Sequence, residues 1–332
     1  SDQEIITITK WTDAGAPRGN PADMPPPIKF DDQVYEWTLL DQLGPPDLLV
    51  PLPEEVTVEP GNANQWIDFI NSTGLTEDRW IRAYETKPSL TGFPVVHHAT
   101  TSTFVEGGDE DSEGFSEYAL GKTGDMFPEG TGRLMKAGTK VRFNMHYSSN
   151  PNGKPTKDRT RLALWFYPKG YTPKHVLIRR SVGSVTDLDL PAGESNVRTD
   201  GYTFLKNNVR LTVFQPHLHN LGKRQCLEAI YQDGRVQTLN CVSWDFGWHI
   251  AYNYADDVQP LLPKGTVLHI ISWHDNSKGN KWNVDPKNWA GWGNRSTDEM
   301  SFAHISMFEL NDQEFAQSVA ERRAKSSTNN DQ

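Results

Sequence analysis

From about residue 30 onward the chain alternates short runs rich in Val, Ile, Thr, Tyr and Phe with clusters of Gly, Pro, Asn and Asp. Residues 139–147, 161–167, 209–214 and 266–273 are examples. Short strands broken so often by turn residues assemble into sandwiches or barrels. Sustained helical periodicity is absent from the middle of the chain. At 332 residues the chain is too long for one sandwich. The pattern therefore predicts an all-β protein of two tandem β-sandwich domains. Pro and Gly cluster at 168–173 after an apolar strand, which divides the domains into 31–172 and 173–312. Residues 1–30 read as a short helix, with Ile5, Ile6, Ile8 and Trp11 on one face, followed by a Pro- and Gly-rich linker. Residues 313–332 are polar and read as a tail, either a frayed helix or disordered.

The chain has 2 cysteines, Cys226 and Cys241. Asp233 and Gly234 between them are a preferred pair for a two-residue hairpin turn. The cysteines are equidistant from that turn, so they face each other across the hairpin at a spacing a disulfide can bridge. A one-residue bulge would break this register, and two buried thiols are the alternative. A disulfide points to a periplasmic or secreted protein.

A net charge of −10 without a basic patch argues against a nucleic-acid partner. No apolar run approaches the roughly 20 residues of a membrane helix. The chain begins at Ser1 with no apolar leader and reads as a trimmed or processed fragment. The acidic loop 106–117 lacks the spacing of an EF-hand and reads as solvated. The loop 276–295 carries Trp282, Trp289 and Trp292, which either line a binding site or form a lid packed on its own domain.

Histidines supply the candidate chemistry. His217 and His219 follow an apolar strand, and residues two apart on a strand share a face, which makes a metal chelate. Two unrelated histidines on a polar face are the alternative. His97 and His98 are adjacent and share one metal only at a bulge, a bend or a strand end; otherwise one is a core residue. His146 lies on an alternating strand and Met300 at the start of one, where both read as structural when taken alone.

Four segments in order change that weighting: Val95, Val96, His97 and His98; Asn144, Met145, His146 and Tyr147; Pro216 through Lys223, holding His217 and His219; and Asp298, Glu299 and Met300. Residues 262–266 add to the pattern. Together they resemble the copper type II, ascorbate-dependent monooxygenases, over roughly residues 35–312. The resemblance implies two jelly-roll sandwiches with one copper each. His97, His98 and His146 would hold an electron-transfer copper, and His217, His219 and Met300 an oxygen-activating copper. Imidazole suits copper in both oxidation states and thioether favours Cu(I). Blue copper is disfavoured because it needs a Cys thiolate, and both cysteines read as paired.

The chain also departs from the family pattern. Gln215 stands where peptide-hydroxylating members place an Arg for the substrate carboxylate, and it cannot supply a charged fork. Phe302, His304 and Ser306 replace their substrate-shaping residues. Gln215, Phe302, His304 and His274 are thus candidate substrate contacts for an unidentified small molecule or peptide. His304 shares a strand face with Met300 and reads equally as a core histidine. His274 approaches the second copper or caps a turn. Residues 11–17 resemble the tail of a c-type cytochrome that precedes the copper domains in some bacterial relatives. Electrons would then come from such a cytochrome or from ascorbate. The expected function is O2-dependent C–H hydroxylation. The rivals are a copper-binding or electron-transfer module without hydroxylase activity, and a structural or carbohydrate-binding double sandwich.

Overall fold

The computed structural model of the protein describes residues 2–24, 26, 37–61, 64–108 and 114–329. Pro25 and residues 27–30 of the linker expected to end at residue 30, and Asp109 to Glu113 of the acidic loop, lie outside the described residues. Residues 1–36 form one unit and residues 37–332 another. In the first, helix Asp2–Asp13 ends before a run of turn residues, and the Trp11 indole donates to the Pro17 carbonyl at 2.9 Å. A single 3-10 turn, Pro21–Asp23, follows, and Asn20 caps its start by accepting from the Ala22 amide.

The second unit is all-β and built from two sandwiches of jelly-roll type. In the first sandwich one sheet runs Leu48–Pro51, Arg161–Phe166, Arg79–Lys87, Thr131–Met135 and His175–Val176. The other runs Gln65–Ser72, Lys140–Tyr147, Val96–Phe104 and Glu117–Ala119. The second sandwich pairs Ile178–Val182, Ser301–Leu310, Asn208–Leu218 and Tyr252–Asn253 in one sheet. Its other sheet holds Val197–Phe204, Val267–His274, Gly222–Ile230 and Val236–Ser243.

Alternation builds these layers. On Lys140–Tyr147 every second side chain, Val141, Phe143 and Met145, is fully buried, and these pack with Tyr84, Leu162 and Leu164 of the opposite sheet. The second core gathers Leu211, Phe214, Leu227, Leu268, Ile270, Ile305 and Met307. The strand Ser301–Leu310 serves both cores. Ala303, Ile305 and Met307 point into the second, while Phe308 and Leu310 from its other face pack into the first. Phe302 and His304 lie on that same outward face, near its beginning.

Two β-bulges decide which way the key histidines point. The pairing of Val96–Phe104 with Lys140–Tyr147 shifts between Val96 and His98, so His97 is an inserted residue and His98 sits opposite His146. The pairing of Asn208–Leu218 with Ser301–Leu310 shifts between Leu211 and Val213. Before the shift the odd residues Val209 and Leu211 face the core, and after it the even residue Phe214 does. Gln215 and His217 are thereby turned outward, opposite His304 and Phe302.

The cysteine hairpin reaches its expected pairing by an unexpected route. Cys226 is directly opposite Cys241 and the two are bonded. The turn, however, is closed by the Tyr231 amide on the Arg235 carbonyl, which adds one residue to the loop. A register shift between Leu227 and Glu228 takes that residue back. The polar C-terminal stretch is the helix Asp312–Asn329. Asn311 and Glu314 cap its start reciprocally, each side chain accepting from the other's amide. Phe315 packs against the first core.

Candidate metal centres and the cavity between them

Three imidazoles converge where the bulge places them. His97 Nδ1 lies 3.2 Å from His98 Nδ1 and 3.2 Å from His146 Nδ1, and the last two are 3.4 Å apart. Mutual hydrogen bonding does not account for this triangle. The His146 Nε2–H donates to the Asn64 side-chain oxygen, which leaves its Nδ1 without a proton. Burial pushes the His98 ring down to about 3 and the His146 ring to about 4, helped by the neighbouring rings; His97 is lowered for the same reason. Neutral rings with converging lone pairs are what a metal needs. An ion about 2.0 Å from each nitrogen in tetrahedral directions requires N···N separations of about 3.3 Å, which these three already have. The cluster is therefore able to hold a metal ion. Trp66 stacks on the His146 ring at 4.1 Å and 10°, and meets His98 edge-on at 5.0 Å. These contacts fix both ring planes.

His217 and His219 come together at the end of Asn208–Leu218, with ring centroids 5.5 Å apart. His217 stacks on Phe302 at 4.4 Å, and its Nδ1 is buried without a hydrogen-bond partner. Burial also holds this ring well below its ordinary pKa, hence neutral. His219 is anchored at three atoms. Its amide donates to Glu299, its Nδ1 to the Asp298 carbonyl at 3.1 Å, and its carbonyl accepts from the Trp244 indole at 3.1 Å. Nε2 is left bare as a ligand atom. Met300 lines the same cavity as both rings. An orphaned buried ring nitrogen, a bare imidazole nitrogen and a thioether form a donor set that suits a soft or borderline ion.

Sequence reasoning missed two residues here. Glu117 and His249 group with His217, their ligand atoms within 4.8 Å of one another, a wider spacing than in the first cluster. His249 donates Nε2–H to the Phe246 carbonyl and has an unpartnered buried Nδ1. Glu117 is buried and receives Arg179 at 3.3 Å and Gln215 at 2.8 Å. Neither lies in a motif, and only the fold brings the first sandwich's Glu117 to the second sandwich's histidines.

Both clusters open onto one cavity of about 860 Å³, a size suited to a small-molecule ligand. Trp66, Phe246, Trp282 and Phe302 supply aromatic walls. The Phe246 ring stands between the clusters, 5.7 Å from His97 and 6.4 Å from His219. Its segment is pinned across the sandwiches by the His249 amide, which donates to the Leu120 carbonyl at 2.9 Å. His304 lines the cavity, beside Ser181 at 3.2 Å, and burial pushes its ring down to about 3. Gln215 and His274 do not line it. Gln215 is tied to Glu117 and Arg179, and His274 is fully buried with its Nδ1 3.7 Å from Glu299. Of the loop tryptophans, Trp282 reaches the cavity, while Trp289 donates to Asp189 at 2.7 Å. His175 and His269 are occupied elsewhere, His175 by Glu314 and His269 by Asp200 and Glu228.

The fold and this site define an all-β protein with a preformed cluster of three histidines that could hold a metal ion. No protein-family model matches the chain, and no curated protein matches it. Among solved structures, the chain is similar to the major capsid protein P2 from Bacteriophage PM2, with a TM-score of 0.34 and 9% identity over 80% of this chain and 99% of that one. It is similar to a structure of infectious bursal disease virus Gt strain at 0.20 and 10%, over 87% and 76%. A variant of Bacillus subtilis oxalate decarboxylase gives 0.15 and 7%, over 88% and 87%. Likeness this loose says nothing about what the chain does.

Proposed function

We propose that the protein is a dicopper monooxygenase that hydroxylates a C–H bond of a small substrate. The observation that carries this reading is the pairing of two unlike donor sets across one ligand-sized cavity. One is all nitrogen and preformed; the other combines two imidazoles with a thioether. His97, His98 and His146 would hold the first copper, and His217, His219 and Met300 the second. The order of these ligands along the chain resembles the copper type II monooxygenases. Bound copper would supply one-electron storage at the first site and oxygen activation at the second. The balance is R–H + O2 + 2e⁻ + 2H⁺ → R–OH + H2O, with both electrons drawn from ascorbate or a cytochrome.

The chain's own residues do the rest. Asn64 and Trp66 hold the first triad's rings in orientation. Phe302 stacks on His217 and fixes its plane beside the space a substrate would occupy. Phe246, Trp282 and Trp66 line that space with aromatic surface. The Cys226–Cys241 bond supports a periplasmic or secreted location.

Copper content after Cu(II) loading and exhaustive dialysis tests the reading. Two coppers per chain, with oxygen uptake that depends on ascorbate and couples to product for some substrate, is the expected result. One copper or none would overturn it. Two coppers with oxygen uptake uncoupled from every substrate would move the electron-transfer reading ahead.

A further inference from the structure

We infer that Glu299 is the positioning residue that sets His219 and Met300 in one geometry. The inference rests on the reading of these two residues as ligands of the second copper. Glu299 is fully buried, and its carboxylate collects three backbone amides. Oε1 accepts from His219 N and, at 2.8 Å, from Met300 N; Oε2 accepts from Leu221 N at 2.8 Å. No lysine or arginine pairs with it among the described ion pairs; His274 Nδ1 stands 3.7 Å from Oε2. A buried carboxylate is costly to keep unless its lone pairs are filled. Here they are filled by the two chain segments that carry the ligands, about 80 residues apart in sequence.

The two ends need such a tie. His219 has just left its strand and Met300 has not yet entered its own, so neither has a regular ladder to place it. The last ladder pair is Leu218 with Ser301. Beyond it the strands part, and the Glu299 carboxylate replaces the missing ladder bonds with three side-chain bonds. Its backbone is held as well, by the Glu299 amide on the Gly291 carbonyl at 2.9 Å and the Gly293 amide on the Glu299 carbonyl at 3.1 Å. The sulfur and the imidazole are thus referred to one rigid group.

Copper K-edge X-ray absorption on the Cu(I)-loaded full chain tests this, because it reads sulfur ligation directly. In Glu299→Gln the amide cannot satisfy all three donors: whichever way it turns, its NH2 meets a backbone N–H. The expected result is loss of the sulfur scatterer and about 10–100-fold weaker binding of the second copper. The first copper keeps its all-nitrogen shell. Glu299→Asp retains the charge but shortens the reach by one methylene. It is expected to weaken the sulfur contribution with the near-UV circular dichroism unchanged, and it decides the matter if Glu299→Gln does not fold. A sulfur shell identical to the parent's in either folded variant overturns the inference. Absence of a sulfur scatterer in the parent itself would instead refute the ligand role of Met300.

Discussion

Replacing Glu117 by Gln tests how the cavity wall is held together. Glu117 sits on the first sandwich and Arg179 on the second, and their side chains are each 7% exposed. Gln215 completes the group by donating to Glu117 and accepting from Arg179. Removing the charge from Glu117 leaves a buried guanidinium without a counter-ion, which costs about 3–5 kcal/mol. For a unit of this size that corresponds to a fall in melting temperature of roughly 6–10 °C. Urea unfolding of the metal-free chain measures it, and a double-mutant cycle with Arg179→Met isolates the pair. The expected coupling is about 2–3 kcal/mol. The pH dependence has a definite sign. Burial alone would raise the Glu117 carboxyl, but the His304 ring and the Arg179 guanidinium hold it well below the usual carboxylate range. Its stabilisation is therefore complete above the ordinary value of 4.5 and is lost as the pH falls below it. The difference between parent and Glu117→Gln should shrink as the pH drops from 7 to below 4.5. Additive single substitutions, or a difference that does not change with pH, would refute the reasoning.

Met300→Ile keeps the volume but removes the thioether; it should abolish product formation while copper analysis still finds one equivalent on the three-histidine cluster. Full activity in this variant would remove Met300 from the ligand set. Replacing Cys226 and Cys241 together by Ser opens a loop of 15 residues and should cost about 3 kcal/mol in urea titration; an unchanged midpoint would mean the hairpin is equally constrained in the unfolded chain. Gly201→Ala places a Cβ 1.9 Å from the Gly183 carbonyl oxygen and should lower stability by at least about 1–3 kcal/mol, read by calorimetry.

Much of the fold was legible because strand alternation and turn residues are local signals. The strand carrying Val141, Phe143 and Met145 alternates in the sequence as it does in the structure. That His97 and His98 could share a metal only at a bulge, a bend or a strand end was also legible, since adjacent residues on a regular strand face opposite ways, and the structure has the bulge. The bulge between Leu211 and Val213 was not, although it decides that His217 leaves the core. It falls within an apolar run where either register buries a hydrophobic residue. The hairpin shows the same limit from the other side. Asp233 and Gly234 suggested a two-residue turn, the structure has a longer one, and a compensating bulge still brings Cys226 opposite Cys241. The roles of Glu117 and His249 were hidden because their partners are distant in sequence. Glu299 stood inside a quoted motif, yet nothing local distinguishes a carboxylate that binds three amides from one in solvent.

The strand Ser301–Leu310, with one face in each core, bears on how the protein is made. Phe308 and Leu310 reach the first core only after the whole of the second sandwich has been synthesised. At roughly 5–20 residues per second, the nascent first sandwich waits on the order of ten seconds for its final apolar contacts. Through that interval the first-core residues that Phe308 and Leu310 will cover lack those two partners. The first core is therefore complete only once residues 308–310, the end of the second sandwich, have been made.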